Sequence, residues 1–268
     1  MKTMRAHVIR SPKPSIRWAL ELLWALSVHR IALRYKETVF GFGWIFLQPV
    51  ALTIIFTYIF QRFAQVPSEG VPYPLFSATG LVAWSFTALV MSQSMSSISG
   101  YATTLKRVAL PKIVLPLSIV VSTLADLCVM ATLLIGLFVY YQHSLTPGAM
   151  WTIVVFVTHV ALMVGLSCTN GLLNVFIRDA GHAIPSLLQL WFFASPVFYP
   201  VSLVPAQFQM IARWNPMTGV IEGYRSSLLF GQPPAWEYFG PTLAVTAVVV
   251  TIGVIGFRRL EGTVADLI

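Results

Sequence analysis

Long stretches without any charged residue dominate this sequence and restrict it to folds that bury apolar surface in a membrane. Residues 38–61 and 70–105 contain no Asp, Glu, Lys or Arg. A helix needs about 20 predominantly apolar residues to cross a hydrocarbon core of about 30 Å. Charged residues make up only 10% of the 268 residues, against about a quarter in soluble domains. The sequence therefore excludes a soluble globular domain, and its 13% aromatic content excludes a disordered chain.

The apolar stretches predict an all-α integral membrane protein with six transmembrane helices. The predicted spans are 43–60, 73–98, 113–141, 151–175, 183–199 and 238–257. This divides the chain into an N-terminal segment at 1–42, a transmembrane domain at 43–257 and a tail at 258–268.

The connection between the fifth and sixth spans is too apolar for a solvated loop. Residues 204–214 and 218–230 read as two short outward helices within about 201–230, separated at Asn215-Pro216 because proline disfavours helix at the residue before it. Neither is long enough to cross. Such a pair is typical of a re-entrant hairpin shielded by protein, with an amphipathic surface loop as the alternative.

Basic residues show a strong preference for one side of the predicted bundle. Fourteen of the 17 Lys and Arg residues fall in the N-terminal segment, the second-to-third and fourth-to-fifth connections and the tail. Only Arg62, Arg213 and Arg225 fall on the other side. Since basic residues are enriched in cytoplasmic loops, we expect both termini in the cytoplasm and the hairpin facing outward. The net charge of +8 has the same explanation and does not indicate nucleic-acid binding.

The residues before the first span form an amphipathic pattern. Trp24, Val28 and Ile31 share one helical face, and Arg30 and Arg34 share the opposite face. This predicts a helix lying in the membrane interface with its polar side toward water. The pattern does not distinguish a simple anchor from a moving gate.

The sequence shows no sign of an enzyme, a metal site or a cofactor site. The five histidines are scattered and no pair has metal-ligand spacing. No nucleophile can be matched with a base, so we predict no catalytic residue. The phosphate-binding pattern G-x-x-x-x-G-K-[ST] is absent from the sequence, so any ATP hydrolysis must come from a separate chain.

Short motifs are spread along nearly the whole chain. In chain order they are Arg34-Tyr35-Lys36 with Gly41, Trp44 and Pro49; Leu105-Lys106-Arg107 with Pro111; Asn174, Arg178-Asp179 and Pro185; Pro196-Val197-Phe198-Tyr199-Pro200; Asn215-Pro216-Met217 with Arg225; and Phe257-Arg258-Arg259-Leu260-Glu261 with Asp266. Together they resemble the membrane subunits of ABC-2 type transporters that export polysaccharides, in particular O-antigen and capsule exporters.

This resemblance implies a homodimer in the bacterial inner membrane that associates with two copies of an ATPase subunit, which would hold ATP and Mg²⁺. The expected substrate is a lipid-linked polysaccharide. The resemblance places a coupling helix at about 100–110, with Leu105, Lys106, Arg107 and Arg34 as expected contacts with the ATPase, and it implies that the two outward short helices cap the exit.

A polysaccharide path needs weak, repeated contacts, and aromatic rings can stack on the apolar faces of sugars. The candidates for lining this path are Trp44, Phe56, Tyr58, Trp191, Phe198 and Tyr199. For each of them, packing against lipid or in an aromatic belt is the alternative. Asn215, Glu222 and Arg225 are the candidate residues of the outward hairpin.

Charged residues at membrane depth give two further expectations. Asp126 lies in the third span. It has either a structural role, in which it is protonated or bonded to Ser122 or Thr123, or a role in a proton relay. Glu222 and Arg225 are three residues apart and can pair on one helix face, fixing the hairpin or contacting the emerging substrate. The alternative functions are an ion-coupled secondary carrier and an ABC-2 exporter of a lipid or small molecule.

Overall fold

The computed structural model describes residues 16–36, 43–105, 110–177 and 179–267, and every regular element within them is helical. The α-helices are α1 (Ile16–Tyr35), α2 (Gly43–Phe56), α3 (Tyr73–Ser94), α4 (Ala102–Leu105), α5 (Val114–Tyr140), α6 (Trp151–Phe176), α7 (Ala180–Ala194), α8 (Gln209–Trp214), α9 (Pro216–Leu228) and α10 (Trp236–Leu267). A π-helix (Thr57–Phe63) continues α2, and short 3-10 turns precede α4, α6 and α8. The prediction of an all-α membrane protein is confirmed.

Among the described residues, five helices are long and apolar enough to cross a membrane. They span Gly43–Phe63, Tyr73–Ser94, Val114–Tyr140, Pro147–Phe176 and Trp236–Thr263. The fifth predicted span, 183–199, is not a single helix of membrane length. It corresponds to α7, whose 15 residues rise only about 22 Å before the helix ends at Ala194. The last helix also runs well past the predicted 257, so the tail predicted at 258–268 is helical as far as Leu267.

Helix α3 is the centre of the bundle. Sixteen of its 22 residues are buried, and it contacts α2, α5, α6, α7 and α9. Several of its buried hydroxyl groups bond within the protein. Thr79, for example, donates to the Leu75 carbonyl over 2.8 Å. The sequence of α3 is apolar around most of its circumference, as expected for a helix that is buried over most of its surface.

Several helix ends meet at one end of the bundle, called here the Lys112 end. The Lys112 backbone N–H donates to Glu261 Oε1 over 2.8 Å and joins the start of α5 to α10. Asn174 donates to Ser99 over 3.5 Å and joins the end of α6 to the turn after α3. Phe257 is fully buried between these elements.

The opposite end of the bundle is called here the Tyr73 end. The Tyr73 hydroxyl donates to the Phe198 carbonyl over 2.6 Å, so the chain after α7 lies beside the start of α3. The His143 imidazole Nε2 lies 2.9 Å from the Leu229 carbonyl and joins the α5–α6 connection to the end of α9.

Helices α6 and α10 pack with their backbones in direct contact at two glycines. A Cβ atom on Gly165 would lie 2.7 Å from the Val250 nitrogen, and one on Gly253 would lie 2.4 Å from the Gly165 carbonyl oxygen. Small residues allow such close approach between helices in membranes, where dispersion contacts replace the hydrophobic effect.

The orientation predicted for the N-terminal helix is wrong: its polar side faces protein and its apolar side faces outward. Ser27 is buried, and Arg30 Nε donates to Ser118 Oγ on α5 over 2.9 Å. Trp24 and Val28 are instead 67% and 46% exposed. The physical reason is that α5 carries polar groups that need partners, and the polar side of α1 supplies them.

The close contact of α6 with α10 predicts that substitutions at two nearby glycines of α10 have different effects. Gly253→Ala should destabilise the protein by about 1–3 kcal/mol, because the new methyl group meets backbone atoms that cannot move aside. Gly256→Ala is the matched control, since a Cβ there meets nothing within 4 Å. Thermal unfolding in detergent measures both, and equal melting temperatures would contradict the packing described.

Candidate functional site

An open groove of about 620 Å³ lies between α2 and α7, with α3 as its floor. We call it the α2–α7 groove. Its aromatic lining consists of Tyr35, Trp44, Trp84 and Phe192, and its polar lining of Arg34, Gln48, Ser85, Ser92 and Gln189. Aliphatic residues of α2, α3, α5 and α7 complete the walls.

Helical spacing explains why these side chains meet in the groove. Trp44, Gln48 and Leu52 recur every four residues along α2 and so share one face. Gln189 and Phe192 are three residues apart on α7. The groove therefore combines aromatic faces with amide groups, and this combination can stack on apolar surfaces and hydrogen-bond to hydroxyl groups.

A buried ion pair lies where α1 meets the groove. Arg34 donates to the Asp126 carboxylate and to Gln93 Oε1. The Tyr35 hydroxyl donates to the other carboxylate oxygen of Asp126 over 2.6 Å. The Asp126 side chain is fully buried, whereas a quarter of the Arg34 side chain is exposed and lines the groove.

The predicted local bonding of Asp126 is wrong. The Ser122 and Thr123 hydroxyls donate to the Ile119 carbonyl instead, over 3.0 Å and 2.7 Å. Asp126 has its partners on α1, and a carboxylate at membrane depth is stabilised when it is paired in this way. The ion pair therefore fixes the end of α1 against the middle of α5.

An aromatic cluster adjoins the groove and shares Trp84 and Phe192 with it. Phe56 lies with its ring centroid 5.1 Å from that of Phe198, and Phe60 stacks on Phe198 at 4.8 Å. Phe192 approaches Trp84 at 5.5 Å. The full cluster consists of Phe56, Phe60, Trp84, Trp191, Phe192, Phe193, Phe198 and Tyr199.

The structure separates the six path candidates into three groups. Trp44 lines the groove and is 52% exposed. Four candidates lie together in the aromatic cluster: Phe56, Trp191, Phe198 and Tyr199. Tyr58 is 62% exposed and contacts Phe63 instead, outside the groove.

Sequence reasoning missed three residues of the groove wall. Trp84 lies within the uniformly apolar α3, where no periodicity marks the face turned toward the groove. Gln48 and Gln189 were detectable, because an amide inside an apolar span is costly unless it faces other protein groups or a water-filled cavity. Their presence in two different spans was the available signal.

Asn215 joins the end of α7 to the start of α9. Its side-chain oxygen accepts from the Met217 N–H over 3.1 Å and from Trp191 Nε1 over 2.9 Å. Its amide nitrogen donates to the Ala194 carbonyl over 3.2 Å and to Ser195 Oγ over 3.0 Å. Asn215 is therefore both the N-cap of α9 and the anchor of the turn after α7.

Arg225 is completely buried and holds residues 195–200 in place. It donates to the Val197 carbonyl over 2.7 Å and to the Tyr199 carbonyl over 3.3 Å. Its guanidinium carbon lies 3.6 Å from the centroid of the Phe76 ring. The predicted pairing with Glu222 is confirmed at 2.8 Å, and Arg225 joins α9 to the chain after α7.

The residues assigned to coupling lie in different places. Leu105 packs against the buried cluster that includes Phe257, whereas Lys106 and Arg107 lie outside the described residues. Arg34 points into the bundle toward Asp126. Arg30 is the arginine of α1 that reaches the turn before α4, with its guanidinium carbon 4.9 Å from the Tyr101 ring centroid.

The ion pair between Arg34 and Asp126 predicts a specific pattern of stabilities. Asp126→Leu should destabilise the protein by roughly 3 kcal/mol, because it leaves Arg34 without its carboxylate. The free energy of unfolding of the double variant, Arg34→Met with Asp126→Leu, should be within about 1 kcal/mol of the wild-type value, since no unpaired charge remains. Thermal unfolding and amide hydrogen exchange of α1 measure the effect.

The control for this pattern is the exposed pair of Arg17 and Glu21, whose side chains are 90% and 64% exposed. Arg17→Met should change stability by less than about 0.5 kcal/mol, because exposed ion pairs contribute little. A double variant at Arg34 and Asp126 as unstable as the sum of the single variants would contradict the pairing described.

Comparison with known proteins identifies the family. The chain is 27% identical over 259 residues to an O-antigen export system permease protein RfbA of Klebsiella pneumoniae, covering 96% of this chain and 98% of the relative. It is 30% identical over 235 residues to a protein of the same name from Myxococcus xanthus, covering 86% and 88%. It is 21% identical over 242 residues to the polysialic acid transport protein KpsM of Escherichia coli, covering 88% and 92%. The family model described as ABC-2 type transporter matches residues 21–229, and the chain belongs to this family of membrane transport proteins.

Proposed function

We propose that this chain is the transmembrane subunit of an ATP-driven exporter that moves a lipid-linked polysaccharide across the bacterial inner membrane. The observation that carries this proposal is the α2–α7 groove, a long surface of aromatic rings and amides. The end-to-end similarity to O-antigen export permeases supports it.

The groove has the chemistry that a moving sugar chain requires. Trp44, Trp84 and Phe192 present ring faces, and Gln48 and Gln189 present donors and acceptors for hydroxyl groups. The one charged side chain among the described residues that line it belongs to Arg34, which is neutralised by Asp126. A lining of this kind makes many weak contacts and does not trap the polymer at one site.

The proposed conduit forms between two copies of the chain. One copy provides an open groove, and the apolar faces of the helices beside it are exposed. Leu47, Ile54 and Ile55 are exposed on α2, and Leu187 and Leu190 are exposed on α7. Two copies that face each other across these helices would cover the apolar faces and close the two grooves into one path.

The proposed drive comes from two copies of a separate ATPase subunit that binds ATP and Mg²⁺. It would contact the segment around α4, including Leu105, Lys106 and Arg107, with Arg34 acting through the position of α1. The Lys112–Glu261 contact and the packing around the buried Phe257 join the chain that follows this segment, at the start of α5, to α10. Movement of the segment would therefore move α10 and the tightly packed α6.

The proposed topology has six crossings, with both termini in the cytoplasm and a re-entrant outward hairpin. Helix α7 begins beside Asn174 at the Lys112 end, and the turn that follows it contacts Tyr73 at the other end. Although α7 itself is short, residues 195–200 continue across the bundle. Arg225, Tyr73 and Asn215 bond to the carbonyls of Ala194 and of this irregular segment, as backbone at membrane depth requires.

The topology predicts opposite accessibility for two exposed positions, Gln207 in the hairpin and Arg259 near the end of α10. In a variant without native cysteines, Gln207→Cys should react with a membrane-impermeant maleimide in intact spheroplasts. Arg259→Cys should react only after permeabilisation. Labelling of both positions from the same side would mean that α7 and the chain after it do not cross.

The proposed function predicts the outcome of deletion and complementation. Cells without the gene should lose their long surface glycan and accumulate the polymer inside, and the wild-type gene should restore export. The double charge reversal Lys106→Glu and Arg107→Glu should fail to restore export, because it repels the partner from the coupling segment. Surface glycan blots and copurification of the ATPase measure these outcomes.

The matched control carries the same charge change on the same proposed side, Arg258→Glu with Arg259→Glu, at exposed positions of α10. It should restore export. A deletion strain that still displays its glycan would disprove the exporter function. Full export by the Lys106 and Arg107 variant would disprove only the coupling contact.

A further inference from the structure

A second cavity, of about 710 Å³, lies on a different face of α3 and shares no lining residue with the α2–α7 groove. Helices α5, α6 and α9 form its other walls. We call it the α5–α6 crevice. None of the residues that belong to the groove, the aromatic cluster or the ion pair lies in it, so the transport path does not account for it.

The walls of the crevice are apolar over most of its length. Val82, Leu127, Ala131, Phe138 and Phe156 are characteristic members. Apolar cavities do not hold ordered water, because water needs polar partners there. The crevice is open, and three of its four wall helices, α3, α5 and α6, are long and apolar enough to cross a membrane. The surrounding hydrocarbon can therefore fill it.

The hydroxyl groups in the walls already have partners within the protein. Thr79 donates to the Leu75 carbonyl over 2.8 Å. Thr152 donates to Ser227 Oγ over 3.0 Å. These hydroxyl groups therefore do not need a polar occupant as a hydrogen-bond partner.

Polar groups gather at one mouth of the crevice, just after α5 ends at Tyr140. Gln142, His143 and Ser144 line this mouth. From Leu127 to Val139 the lining of α5 rises about 18 Å. One leaflet of a hydrocarbon core of about 30 Å is about 15 Å deep. The crevice thus matches an occupant with a polar head at the mouth and a chain as long as one leaflet.

The charge of the lining selects among such occupants. Among the described residues that line the crevice, none is Lys, Arg, Asp or Glu. An anionic phosphate group that has no cation within its own head group is usually met by Arg or Lys in proteins. A head group with no net charge is therefore the better match, and the pyrophosphate head of a lipid-linked sugar is not.

From these features we infer that the α5–α6 crevice binds one acyl chain of a zwitterionic glycerophospholipid, with its head group at the Gln142–Ser144 mouth. The lipid belongs to the leaflet in which α5 ends. The inference does not depend on the proposed substrate, since any membrane in which the chain folds supplies this ligand.

Photo-crosslinking tests the inference. The full-length chain is reconstituted in nanodiscs of phosphatidylethanolamine that contain a trace of the same lipid with a diazirine on one acyl chain. Cross-links should be enriched at crevice residues such as Phe138 and Phe156 over the exposed Ile153 and Val157 of α6. No enrichment would overturn the inference.

A pair of adjacent substitutions on α5 provides the matched comparison. Ala131→Trp fills the crevice and should lower the crevice cross-links about tenfold, the equivalent of losing contact with roughly two methylene groups. Thr132→Trp adds the same side chain at an exposed position outside the crevice and should leave them unchanged. Equal cross-linking in the two variants would overturn the inference.

The native thiols allow the same test without a change of sequence, should Ala131→Trp fail to fold. Cys128 is exposed and lines the crevice, whereas Cys168 is buried. Alkylation of Cys128 with a long-chain maleimide should lower the crevice cross-links as Ala131→Trp does. Unlabelled phosphatidylethanolamine should compete better than phosphatidylglycerol or polyprenyl phosphate, and equal or better competition by polyprenyl phosphate would overturn the choice of ligand.

Discussion

Polar groups at membrane depth need partners within the protein, and this requirement determines how the outer parts of the bundle attach to its centre. Asp126 on α5 is fully buried and paired with Arg34 and Tyr35, which holds α1 against the bundle. Arg225 on α9 is equally buried and bonds to the irregular chain after α7. Each buried charge thus bonds to one outer element of the bundle, in addition to the packing that holds that element.

The helices differ in how firmly they are held. The backbones of α6 and α10 touch at Gly165 and Gly253, and Glu261 ties α10 to the start of α5. The groove helices α2 and α7 attach mainly through side chains, and much of their apolar surface is exposed. Under the proposed function, the partner ATPase would displace a stiff unit of α6 and α10, while α2 and α7 adjust around the polymer.

Apolar run length predicted five of the membrane helices, because crossing a bilayer imposes a minimum length that composition reveals. It did not predict that α7 ends at Ala194 and that an irregular buried segment follows at 195–200. The pairing of Glu222 with Arg225 followed from helical spacing. The partner of Asp126 did not, because Arg34 is 92 residues away in sequence. The groove could be predicted only in part. Its aromatic residues can be read from the sequence, but which helix faces meet in the groove depends on how the other helices pack around α3.

The four hydrogen bonds of Asn215 limit which residues evolution can place there. The site uses an oxygen that accepts twice and a nitrogen that donates twice. Aspartate has the same shape but loses both donors, and glutamine keeps the chemistry but is one methylene longer. Serine or threonine could cap α9 but could not also hold the turn after α7. Divergent copies of this gene should therefore retain asparagine at this position even where the surrounding apolar residues have drifted freely.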